Sequence, residues 1–168
     1  MAIELPTWWT ETAQKRTAAL KIEDVMIALF TPLMQGVRCV YWLPTDEVTQ
    51  QVIFEDSEAF LRIYRLDGEV DLDNRRCIHR VQFAGISESR NDSSRIMAFV
   101  QWVLYAYEHA SYVTMPDGEK VSMRFLRETQ GPFLDPQQIR DSRLVPVTVE
   151  VETSWPKGLP DPRQHLDM

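Results

Sequence analysis

Residues 144–153, LVPVTVEVET, place Val145, Val147, Val149 and Val151 at alternate positions, with Thr148, Glu150 and Glu152 between them. A period of two sends the two sets to opposite faces of a strand, so one face is dry and the other meets water. A β-branched run this regular requires a sheet, and the rest of the chain must cover its apolar side.

Two segments can supply that cover. Val25, Ala28, Leu29 and Leu33 recur at helical spacing after Ile22, with Glu23 and Asp24 in the first turn, where negative charge favours the helix dipole. Pro32 should weaken the last turn and Gly36 should stop the helix. Ile96, Phe99, Val100, Val103 and Tyr107 form a longer amphipathic stripe, for which Asp92 or Ser93 is the expected cap.

The remaining apolar runs read as strands. VRCVYWLP closes at Pro44, and a polar connector over residues 45–58 follows. AFLRIYRL alternates Leu61 and Ile63 against Arg62 and Tyr64, then enters DGEVDLDN, read as an acidic loop. From about Cys77 to Ile86, Val81 and Phe83 alternate with Arg80 and Gln82. A hairpin is expected at Pro116, Asp117 and Gly118, with Val121, Met123 and Phe125 on one face, followed by a polar loop over residues 127–143.

The order of elements predicts an α+β fold, a mixed or antiparallel sheet of about five strands with two helices packed on one face. Extended arms are expected at both ends: residues 1–21, the domain proper over 22–153, and a proline-rich tail over 154–168. A chain of 168 residues, 44% hydrophobic and 26% charged, suits one domain with a real core.

The net charge of −7 and the lack of any basic run argue against tight binding of DNA or RNA. The N-terminal stretch has no signal-peptide pattern, and no apolar run approaches a membrane span, so a soluble protein made in a cytosol is expected, with no membrane partner. Cys39 and Cys77, without CxxC spacing, read as reduced and buried.

Three features invite a functional role. Cys77 and His79 share a strand face and could form a thiolate–imidazole pair, but strand neighbours two apart stand about 6 to 7 Å apart, with no third group to orient them. Packing is the favoured reading, and a small cytosolic enzyme built on the pair is the remote alternative. A metal site would need more ligands than these two, and His109 and His165 sit on an expected helix end and in the tail, with no zinc spacing.

Asp67, Glu69, Asp71 and Asp73 suggest a cation loop, but an EF-hand starting at Asp67 would have Leu72 in place of its glycine and Ile78 in place of its closing glutamate. No metal or cofactor is therefore expected, and the stretch reads as a solvated loop able to repel a passing polyanion. Trp8, Trp9 and Trp155, in the arms, either dock on a neighbouring subunit or fold back on their own domain. Phosphate-loop, GxSxG and HExxH motifs do not occur, so no reaction class has positive support and a non-enzyme is expected.

Taken in order, the segments EDVMIALFTPLMQGVRCVYWLPTD, AFLRIYRLDG, IHRVQFAGISESRNDSSRIMAFVQWVLYAY and RLVPVTVEVET resemble the tail terminator proteins of long-tailed, siphovirus-type bacteriophages. The resemblance runs over roughly residues 22–153 as a pattern of apolar positions and element order. It implies a structural protein of the virion, assembled in the host cytoplasm, that forms a homohexameric ring at the head-proximal end of the tail. Its partners would be further copies of itself, the major tail tube protein and a head-tail connector or neck protein. Genomic DNA would pass the lumen without specific binding, helped by an acidic lining to which Asp67, Glu69, Asp71 and Asp73 could contribute. Another connector ring, a neck or tail-completion protein, is the alternative within the class.

Overall fold

The computed structural model describes residues 6–9, 21–54, 59–132, 143–156 and 158–165. Most of the N-terminal arm and the centre of the polar loop before the last strand lie outside the described residues.

Helix α1, Ile22–Phe30, buries Ile22, Val25, Met26, Leu29 and Phe30, a stripe at the spacing of one helix face. Pro32 lacks the N–H that would continue the helix, and the chain tightens into a 3-10 turn over Thr31–Leu33. That turn swings Leu33 out to solvent, off the apolar face where the spacing had placed it. Gly36, at φ +74°, then redirects the chain into β1, Val37–Val40.

Strand β2, Ala59–Asp71, returns parallel to β1, and β3, Arg76–Ile86, runs back antiparallel to it. Helix α2, Arg90–Tyr105, follows, then β4, Ser111–Thr114, β5, Lys120–Gln130, and β6, Val145–Ser154. Among the described residues the strands form one six-stranded sheet in the order β1-β2-β3-β6-β5-β4, curled into a half-barrel. Six strands replace the five expected, because the short arm of the hairpin, β4, pairs in its own right with β5. The hairpin turns where the sequence indicated, with Gly118 at φ +87° and the Asp117 side chain accepting from Glu119 N–H.

Two expected loops are strand. DGEVDLDN is not a loop until Leu72, because Asp67, Gly68, Glu69, Val70 and Asp71 pair with Arg80, His79, Ile78, Cys77 and Arg76 beyond a bulge at Leu66. Residues 127–130 likewise belong to β5 and pair with β6. Pairing overrides weak strand propensity in both places.

The main core lies between the two helices and one face of the sheet, where the four alternating valines of β6 meet Leu61, Ile63, Val81 and Phe83 from the sheet and Phe30, Met97, Val100 and Leu104 from the helices. Each such side chain contributes about 1.5 to 3 kcal/mol when fully buried. Helix α2 sits close because Gly85 carries no side chain: a Cβ there would meet Ser93 O at 3.0 Å and Met97 at 3.1 Å. The cap of α2 is Ser89, whose side chain accepts from Asp92 N–H, rather than Asp92 or Ser93; Ser93 is buried under the turn and bonds Ser87 N–H and Ser89 O. Tyr107 falls just past the helix end.

A second, smaller core lies on the opposite face of the sheet. Val52 and Phe54, from the segment read as a polar connector, close over Phe60, Ala84, Ile86 and Leu144. The two phenyl rings stand 5.8 Å apart, and Arg143 lies over Phe54.

Candidate assembly surfaces

Cys77 and His79 do share a face of β3, and it is the core face. They are 1% and 0% exposed, and His79 Nε2 is 2.9 Å from Thr153 Oγ1 on β6, while Nδ1 has no hydrogen-bond partner among the described residues. Burial, with a smaller contribution from the Arg65 charge, pushes the imidazole down to about 4. Burial pushes the Cys77 thiol up. Both groups are therefore neutral near pH 7, the reverse of what an activated thiolate requires.

The acidic stretch lies on the outer face of the sheet, away from the helices. Asp71 accepts from the Asn74 side chain at 2.8 Å and its N–H at 3.0 Å, and from Arg76 at 3.0 Å, which together hold its carboxyl down at about 2. This closes the Leu72–Arg75 turn, in which Asp73 is exposed. Arg76 also reaches Glu152 at 3.1 Å.

One row crosses four strands with alternating sign: Asp67 on β2 faces Arg80 on β3, Arg80 faces Glu150 on β6, and Glu150 faces Arg127 on β5. Asp67 and Arg80 are ion-paired, and Arg127 holds Glu150 in a fork of 2.7 and 3.2 Å. In the next row Glu152 faces Arg124, while Glu69 stands opposite Ile78. The outer face is thus nearly balanced in charge rather than an acidic surface. Among the described residues, no group of three or more His, Cys, Asp or Glu could hold a metal ion, and no helix is long and apolar enough to cross a membrane.

The sequence-predicted tryptophans are half-buried, and one of them, Trp8, meets the opposite end of the chain. Trp8 stacks flat on His165 at 4.8 Å and meets Trp9 edge-on at 6.4 Å. Trp155 follows β6, and its N–H donates to Arg75 O at 2.8 Å, prolonging the sheet by one bond.

Other aromatic groups are far more exposed and were not singled out by sequence. Trp102 on α2 is 71% exposed, Tyr112 on β4 65%, and Trp42 just beyond β1 74%. A signal existed for two of them: Trp102 falls off the apolar stripe of its helix, and Tyr112 alternates with the buried Val113, so both point away from the core.

A comparison with curated proteins finds no match. Residues 18–160 match the family described as "Phage tail termination protein". That match takes in α1, α2 and β1 to β6, and the chain belongs to the phage tail termination protein family.

Proposed function

We propose that copies of this chain close head to tail into a hexameric ring at the head-proximal end of a siphovirus-type tail. One side of the ring caps the tail tube and stops its polymerisation, and the other offers a surface to the head connector. A head-to-tail contact makes a closed ring whenever its rotation closes. The observation that carries this reading is the family match over residues 18–160, which spans α1, α2 and β1 to β6.

Such a role needs complementary surfaces and no active site, in keeping with the neutral, buried Cys77 and His79. DNA passes the lumen without adhering, supported by the net charge of −7. Asp67 and Asp71, matched by Arg80 and Arg76, contribute little to that repulsion; Glu69 and Asp73, both exposed, contribute more. Trp8, Trp9 and Trp155 add to subunit contacts through the parts of their rings left uncovered.

The test mixes purified protein with the tail tube protein of the same phage and follows tube growth by negative-stain imaging. Rings at tube ends and arrested growth are expected. Rings that bind only the head connector, or tubes that grow unaltered, would overturn the termination reading in favour of a neck protein.

A further inference from the structure

We propose that neighbouring copies meet through an aromatic knob, Trp42 with Tyr64, which enters an apolar groove between α1, α2 and β4 of the next copy. This rests on the ring reading above and adds which surfaces close it.

The groove has a volume of about 640 Å³ and is walled by Pro32, Leu33, Phe99, Trp102 and Tyr112. The 3-10 turn at Pro32 makes one wall by bringing Leu33 outward, and the outer side of α2 makes the other. Leu33, Trp102 and Tyr112 are 49%, 71% and 65% exposed, a cluster that a soluble monomer rarely leaves in water. Its volume is in the range of pockets that bury a bulky group, so it accepts an indole with room to spare.

The knob is built differently. Tyr41 turns toward α1 and donates its hydroxyl to Asp24, so the next residue, Trp42, goes the other way and leans on Tyr64 with ring centroids 5.7 Å apart. Tyr64 pairs with Gln82, on the face of the sheet away from the helices. The groove, by contrast, opens on the helix side and includes β4, at the other end of the strand order.

One chain therefore carries a projecting aromatic pair and an apolar concavity on different sides. An isologous pair would have to seat both knobs in both grooves at once about one twofold axis, whereas patches on opposite faces and at opposite ends of the strand order favour one knob-in-groove contact per pair, head to tail. The extent of the patches agrees with a second copy as the occupant. Buried aromatic side chains cover about 150 to 250 Å² each, so the exposed parts amount to about 200 to 300 Å² for Trp42 with Tyr64 and about 300 to 400 Å² for Leu33, Trp102 and Tyr112. That is about a quarter to a half of the roughly 800 Å² per partner in a standard interface, in keeping with an apolar centre within a polar rim.

The full chain is tested with and without tail tubes, as wild type, as Trp42→Asp and as Trp102→Asp, by sedimentation velocity. Each substitution lies at an exposed position and should leave the circular dichroism spectrum unaltered. Wild type is expected as a ring, each variant alone as a monomer, and an equimolar mixture of the variants as a dimer that grows no further. The dimer forms because one variant keeps its groove and the other its knob. Variants that still form rings overturn this pairing and leave the ring reading standing. Wild type that stays monomeric, even on tubes, overturns the ring reading itself and this pairing with it.

A photo-reactive benzoylphenylalanine at Tyr112, in an otherwise wild-type chain, covers the case of a variant that misfolds. Cross-links to the peptide holding Trp42 of a second copy are expected. Links to the tube protein, or to the groove of a second copy, would overturn the proposal.

Discussion

Burial of His79 between β3 and β6 makes its neutral form part of the native state. The folded imidazole titrates at about 4, whereas an unfolded one titrates near 6.5. Between those values the unfolded chain binds the proton and the folded chain does not, so stability rises with pH across the window. This contribution, about 3 kcal/mol, is complete above pH 6.5 and is lost as pH falls through 4. In His79→Gln the side chain can still bond Thr153 but cannot titrate, so wild type should lose more stability than the variant between pH 7 and pH 4 in urea titrations. Equal losses in the two proteins would show that His79 takes up its proton without unfolding. Gly85 makes a second case at this scale. A methyl group there presses on Ser93 O and Met97, so Gly85→Ala should cost about 1 to 3 kcal/mol by forcing α2 away from the sheet, read as a lower midpoint of thermal unfolding. Sequence alternation was enough to put Cys77 and His79 on one face. It could not reveal Thr153 as the partner of His79, because that contact joins residues 74 positions apart.

Strand β6 separates the two kinds of sheet energetics within two neighbouring residues. Val149 is fully buried under the helices, and Glu150 is held in the fork of Arg127 on the outer face. Val149→Ala should cost about 1.5 to 3 kcal/mol, whereas Glu150→Gln, which removes one charge from a surface row, should cost about 1 kcal/mol or less. Urea midpoints at pH 7 measure both, and comparable losses would mean that the outer charge row carries more of the stability than surface ion pairs usually do. The same contrast explains what could be read from the sequence. Valine alternation in β6 and the apolar stripe of α2 announce themselves, because burial selects one residue class at a fixed period. The polar half of β2 and the end of β5 do not, because Asp67–Asp71 and Arg127–Gln130 are held by ladder bonds and cross-strand pairs whose partners lie elsewhere in the chain. Val52 and Phe54 were hidden for a related reason: they have no period of their own and are buried only once Phe60 and Ile86 have made a surface to cover.

At the scale of the whole molecule, charge and apolar surface pull in opposite directions. Every copy carries −7, so bringing copies into a ring costs repulsion, which salt screens over about 10 Å at 0.1 M and about 3 Å at 1 M. The outer face of the sheet offers little relief, because its acids and bases are already matched within one chain, as in the Asp67–Arg80–Glu150–Arg127 row. Exposed aromatic groups such as Trp42, Trp102 and Tyr112 are left to hold copies together in the proposed ring. The positions of Trp102 off the helix stripe and of Tyr112 beside Val113 carried a sign of their exposure, whereas Trp42, beyond the end of β1, follows no period that would show it. A contact of this kind strengthens with salt, because screening removes the repulsion while apolar burial persists. Raising NaCl from 0.1 M to 1 M should therefore shift self-association in sedimentation velocity toward the ring, with no binding to double-stranded DNA at the lower salt. A ring that dissociates at 1 M NaCl would mean instead that ion pairs between copies hold it, and the charged outer face, not the aromatic groove, would then be the surface to pursue.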